Sequence, residues 1–104
     1  MRCGTTKPTV FDLLGDQWVL ALLNALRNGE KRFTDLQREL QINPITLSNR
    51  LKTLEENHLL KRLEGTVNKQ AVAYRLTELG CGTFPVLDSM NIFGAQMLST
   101  TPRN

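Results

Sequence analysis

A mainly helical domain with one small β-hairpin is the fold class this sequence predicts, and three observations predict it. A helical segment beginning after Asp16 is apolar nearly all round. Two further amphipathic segments, residues 33–40 and 43–54, meet at a tight turn. Two strand-like segments, 59–64 and 71–76, enclose a polar tip. At 104 residues, with 40% hydrophobic and 22% charged side chains, the chain suits a single globular domain over 1–104 with one core. It holds no repeat and no low-complexity tract.

The first helix is expected over about 9–14, with Gly15 ending it. Asp16 is a good N-cap for the second, which continues through Trp18-Val19-Leu20-Ala21-Leu22-Leu23-Asn24-Ala25-Leu26. Its apolar circumference makes it the central buried helix. Asn28-Gly29 stops it, and Glu30-Lys31-Arg32 reads as an exposed connection. Thr34 followed by Gln37 is a capping-box pattern, with Leu36 and Leu40 facing inward.

Gln41-Ile42 makes the turn. Asn43 is a favourable N-cap for the next helix, and Pro44 stands at its first position, where a missing N–H does no harm. Leu47, Leu51 and Leu54 recur at i, i+4 and i+7, which defines one buried stripe. Ile45, Thr46, Asn49, Lys52 and Thr53 project on the other side, flanked by Ser48 and Arg50. That outer face is short, polar and able to hydrogen-bond base edges in a major groove. A merely solvated face would carry Glu and Lys pairs; Glu55-Glu56 at the helix end fit that description and should point away from DNA.

The two strands after His58 form an antiparallel hairpin, a wing able to touch DNA backbone or minor groove, or else a cover for the core edge. Its tip is Gly65-Thr66-Val67-Asn68-Lys69-Gln70. Thr77 caps a last helix, about 77–98, with Glu78 in its first turn. Pro85 should kink or restart it. Val86, Leu87, Met90, Ile92, Phe93, Met97 and Leu98 are more apolar residues than one small domain needs there. Part of that surface reads as a dimer interface, the alternative being closure of the monomer core. A twofold dimer fits a pseudo-palindromic operator.

The elements together form a winged helix-turn-helix: the reading unit at about 33–57, the wing at about 59–76. Candidate DNA contacts are Thr34, Pro44, Ile45, Thr46, Ser48, Asn49, Arg50, Lys52 and Thr53, with Arg62, Asn68, Lys69 and Gln70 on the wing. The narrowest expectation is the face with Thr46, Asn49, Arg50 and Thr53. Charge placement agrees. Ten of the 13 Lys and Arg lie between Arg27 and Arg75, against six of the ten acids, leaving that segment at +4 and the flanks at −1.

Other function classes find little support. No nucleophile–base pair, carboxylate cluster or phosphate-cradling glycine loop points to an enzyme. Two cysteines and one histidine, His58, give no zinc spacing, and no cofactor is expected. The opening Met1-Arg2-Cys3-Gly4 lacks the apolar core of a signal peptide, and no apolar run reaches membrane-spanning length, so a cytoplasmic protein is expected. In that reducing compartment a static disulfide between Cys3 and Cys81 is not expected. Cys81, beside Gly80 and Gly82, suits a buried small residue. Arg2 and Lys7 near Cys3 would favour its thiolate. A winged helix serving as a protein-interaction module without DNA binding is the alternative function.

The sequence resembles the HxlR-type bacterial transcription regulators, a winged-helix family related to the MarR regulators. Cys3, Leu13-Leu14-Gly15-Asp16-Gln17-Trp18, Lys31-Arg32-Phe33-Thr34-Asp35-Leu36 and Leu47-Ser48-Asn49-Arg50-Leu51-Lys52-Thr53-Leu54-Glu55 carry the resemblance, with Tyr74-Arg75-Leu76-Thr77-Glu78-Leu79-Gly80 and Pro85-Val86-Leu87. It covers nearly the whole chain, and the order and spacing of the pieces are more specific than any one of them. It implies a homodimer built from the first and last helices, here Val10, Phe11 and Leu14 with Val86, Leu87, Met90, Ile92, Phe93 and Met97. It also implies repression or activation at double-stranded operator DNA. Some members respond to electrophiles, aldehydes or oxidants through an N-terminal cysteine, the place Cys3 occupies, though further from Trp18. The chain departs from the family at His58, where glycine is usual, at Phe93, where tryptophan is common, and at the wing tip, which lacks a proline.

Overall fold

The computed structural model describes residues 9–64 and 72–99. α1 (Val10–Leu14) is capped by Thr9, whose hydroxyl accepts from the Phe11 and Asp12 amides while the Asp12 carboxylate accepts from the Thr9 N–H at 2.8 Å. Asp16 starts α2 (Gln17–Ala25), accepting from the Trp18 and Val19 amides at 2.8 and 3.0 Å. Those bonds satisfy donors that every helix start leaves open. Val19, Leu22, Leu23 and Leu26 are buried, so this helix is the centre of the core as its composition requires.

The connection after it is not merely an exposed link. Lys31–Arg32 form a short strand, β1, and α3 (Phe33–Leu40) begins at its end. β1 pairs antiparallel with β3 (Ala73–Leu76), setting Lys31 opposite Tyr74 and Arg32 opposite Ala73. β3 also pairs with β2 (Leu60–Leu63), Arg62 facing Tyr74, so the expected two-stranded hairpin is a three-stranded sheet of order β1-β3-β2. The strand corrects the Thr34–Gln37 capping box as well. The Phe33 N–H donates to the Val72 carbonyl, which starts the helix one residue before Thr34. The cap position is Arg32, and its N–H reaches the Asp35 carboxylate at 3.4 Å.

Gln41, in the left-handed region at φ 52°, ends α3 and reverses the chain. Ile42 buries in the turn, and Asn43 then caps α4 (Pro44–Glu56), accepting from the Ile45 amide at 2.7 Å. Leu47, Leu51 and Leu54 are fully or almost fully buried against Leu22, Leu23 and Leu26, with Leu36 of α3 in the same cluster. Removing each such side chain from water contributes roughly 1.5–3 kcal/mol, and this stripe therefore fixes how α4 rotates about its axis.

α4 closes with a motif that favours glycine, built here on histidine. The His58 N–H donates to the Glu55 carbonyl, the Leu59 N–H to that of Leu54, and His58 sits at φ 64°. Leu54 and Leu59 bury together beneath it. Thr77 ties on the next element: its N–H donates to the Leu59 carbonyl and its hydroxyl to the His58 carbonyl, while the same hydroxyl accepts from Gly80. Gly80 is required there, because a Cβ would lie 2.1 Å from the Leu59 carbonyl oxygen.

The C-terminal helix expected over about 77–98, with a kink or restart at Pro85, is divided just before that proline. α5 (Glu78–Cys81) ends at Gly82, and α6 (Phe84–Ser99) restarts after Thr83, whose buried hydroxyl donates to the Gly80 carbonyl. Pro85 is the second residue of α6, where no intrahelical N–H bond is lost. Cys81, expected to be buried, is exposed with a free thiol. Leu87, expected at a dimer interface, belongs instead to the monomer core at 6% exposure. Arg27 clamps the foot of α6, pairing with Asp88 at 2.8 Å and stacking 4.6 Å from the Phe84 ring centre. The Arg27 guanidinium holds the Asp88 carboxyl below its ordinary pKa.

Two substitutions should shift stability in opposite directions. Gly80→Ala should destabilise by roughly 1–3 kcal/mol, since backbone stands where the methyl must go. His58→Gly should stabilise by about 1 kcal/mol by relieving left-handed strain. Denaturant unfolding checks both, and an unchanged midpoint for Gly80→Ala would mean that α5 moves aside at no cost.

Candidate nucleic-acid interface

One consequence of the leucine stripe is the face α4 leaves outside. Ile45, Ser48, Asn49 and Lys52 stand at i, i+3, i+4 and i+7, all exposed, with Ile45 at 71%. Pro44 is exposed in the first turn of α4, and Thr34 in the first turn of α3. The six offer hydroxyl, amide and ammonium groups with two apolar side chains, Pro44 and Ile45, and α4 carries no carboxylate before Glu55.

The other α4 candidates lie elsewhere. Thr46 and Thr53 are half-buried on the flank turned toward the N-terminal helices. The Thr53 hydroxyl donates back to the Asn49 carbonyl at 3.0 Å, and its side chain borders a groove with Leu13 and Leu14. Arg50 lies on the same flank, where its Nε donates to Asp16 Oδ2 at 3.0 Å. Partial burial works against ionisation of Asp16, but the Arg50 hydrogen bond and the Val19 and Trp18 amides outweigh it and hold the carboxyl below its ordinary value. The four residues favoured most from sequence thus do not share one face: Asn49 faces outward, and the other three face sideways.

On the sheet, Lys61 and Arg62 are exposed. Arg62 lies against the Tyr74 hydroxyl and pairs with Glu64, and both partners raise its pKa above the ordinary arginine value. Asn68, Lys69 and Gln70 at the wing tip, and Cys3, lie outside the described residues. The role of Asp16 beyond capping had no local signal, because its partner is 34 residues away.

A second surface is apolar. Val10 and Phe11 on α1 are 58% and 82% exposed, and Val86, Met90, Ile92, Phe93, Met97 and Leu98 continue exposed along α6. Leu14 packs partly against the core. An open, mainly apolar groove of about 630 Å³ runs between α1, the end of α4 and the start of α6. Large exposed apolar patches are the kind of surface at which proteins meet partners or ligands. Among the described residues no helix is long and apolar enough to cross a membrane.

The architecture has counterparts among known proteins. The HxlR-like helix-turn-helix family matches residues 13–102. An uncharacterised HTH-type transcriptional regulator of Mycobacterium tuberculosis is 33% identical over 95 residues, which are 91% of this chain. The chain spans 60% of that regulator's length. The HTH-type transcriptional regulator YodB of Bacillus subtilis is 32% identical over 89 residues, covering 85% of this chain and 80% of YodB. The reduced form of YodB superposes with a TM-score of 0.80 over 96% of this chain and all of that one, at 29% identity. YodB is also known in a quinone-bound form, with a TM-score of 0.74, 32% identity, and 84% and 91% of the two chains covered. The redox regulator HypR in its reduced form gives 0.78 at 27% identity, over 85% of this chain and 88% of its own.

Proposed function

The chain belongs to the HxlR-like helix-turn-helix family, whose members are transcription regulators and not enzymes, and on that premise we propose how this one works. It binds double-stranded operator DNA in the cytoplasm as a homodimer, with α4 in the major groove. The observation that carries this reading is the Ile45–Ser48–Asn49–Lys52 face, held outward because the opposite side of α4 is locked in the core. Asn49 has the amide that pairs bidentately with adenine, Ser48 a hydroxyl for base or phosphate, and Ile45 an apolar surface for a thymine methyl. Thr34 and Pro44 lie at helix starts, where phosphate contacts set the register. Arg62 and the tip residues Asn68, Lys69 and Gln70 serve the wing.

The dimer is formed by α6, through Val86, Met90, Ile92, Phe93 and Met97, and by Val10 and Phe11 of α1 with Leu14 behind them. Its twofold axis places two α4 helices on one duplex, as a pseudo-palindromic site requires. Cys3 makes the regulator responsive to electrophiles or oxidants. That reading is supported by Arg2 and Lys7 in the sequence around it, and by the quinone-bound YodB and redox-regulating HypR among similar proteins.

Three outcomes are expected. Binding to a duplex selected by the protein from a random pool should weaken steeply with salt, and Asn49→Ala should cost roughly 1–3 kcal/mol at the contacted base. Binding insensitive to salt would favour a protein-interaction module instead, and binding insensitive to Asn49→Ala would overturn the assignment of α4 as the reading helix. In sedimentation equilibrium the wild type should have twice the 11.8 kDa of one chain, and Phe93→Glu should shift it to the monomer; a wild-type monomer would overturn the dimer. Mild oxidant should change operator affinity of the wild type and leave Cys3→Ser unaffected. Equal responses would remove Cys3 from the mechanism.

A further inference from the structure

Asp16 has two oxygens with separate tasks. Oδ1 accepts from the Trp18 and Val19 amides and caps α2, while Oδ2 accepts from Arg50 Nε at 3.0 Å. α2 is the buried central helix, so the carboxylate has a firm mount. The Arg50 side chain is 33% exposed and that of Asp16 29%. Among the described residues nothing else takes the guanidinium, whose two terminal nitrogens keep their N–H groups unpaired. A guanidinium held through Nε is fixed in its plane and still presents a forked pair of donors, which is the geometry that phosphate accepts.

Position along the helix points to the same target. Arg50 follows Asn49 and is turned about 100° from it around the axis, toward the flank. With the Asn49 face toward base edges, a flank residue meets the wall of the groove, which is sugar-phosphate backbone. We propose that Asp16 is a positioning residue for DNA binding: it orients Arg50 so that the free edge of the guanidinium clamps a backbone phosphate beside the groove. The proposal rests on the DNA-binding reading above. Asp16 touches no DNA itself; it acts through Arg50, as a carboxylate behind a ligand does elsewhere.

The two tasks of the carboxylate can be separated. Serine at position 16 keeps the helix cap but is too short to hold Arg50. Affinity for a mixed-sequence 30-base-pair duplex would be measured by fluorescence anisotropy at several salt concentrations, for wild type, Asp16→Ser, Arg50→Ala and the double variant. Each single change should lower affinity about tenfold and reduce the salt slope by about one phosphate, and the double variant should be no weaker than Arg50→Ala. Losses that multiply in the double variant, or an Asp16→Ser protein with wild-type affinity and slope, would overturn the proposal. A wild type that binds no duplex would sink the DNA-binding reading as well, which separates the two failures. If Asp16→Ser does not fold, Asp16→Asn keeps the cap and removes the charge. It should fall between wild type and Arg50→Ala; equality with wild type would again overturn the proposal.

Discussion

Everything that this chain offers to a partner depends on the contact between α2 and the inner stripe of α4. Six leucines, Leu22, Leu23 and Leu26 against Leu47, Leu51 and Leu54, are closed to solvent at the centre of a core that Leu36, Leu59, Leu60, Tyr74 and Leu87 complete. Interiors pack at crystal-like density, so a rotation of α4 would open voids along the whole stripe. The orientation of Asn49 and Lys52 is therefore not a surface property. It is the outward reading of a buried one, and the Asn43 cap and the His58 turn fix where that helix starts and stops.

Features written in adjacent residues were legible in the sequence. Asp16 before an apolar run and Asn43-Pro44 before an i, i+4, i+7 stripe each state a helix start through local hydrogen-bond chemistry. Features that depend on a distant partner were not legible. Lys31-Arg32 has no strand pattern; it becomes one because β3 offers a free edge, and in doing so it starts α3 at Phe33. Leu87 looked like the other apolar residues of α6, yet it is buried in the core, with Phe84 packed against the edge of the same cluster.

The candidate site divides along the same line. Periodicity found the outward face of α4, because it requires only the helix repeat and a buried stripe. It set Arg50 at the flank but could not separate Asn49 from Thr46 and Thr53, because only about 40–60° of rotation decides between groove and flank there, and α2 starts beside that flank. Arg50 shows the difference most plainly: expected as a DNA contact, it is already engaged by a carboxylate from the start of the central helix. The apolar surface behaves oppositely, since side chains that fill no core remain conspicuous at any rotation.

α6 also has a mechanical meaning. Its 16 residues extend for about 24 Å, and the molecule measures 56 Å in its longest direction against 26 Å in its shortest. Its foot is anchored by Leu87 in the core and by Arg27 gripping Asp88 and Phe84. The helix is a lever. A tilt of about 10° at that foot displaces the far end by about 4 Å, more than a single base-pair step of duplex DNA along its axis. The ion pair and ring contact at Arg27, with Leu87 in the core, hold the start of a surface that runs several turns further.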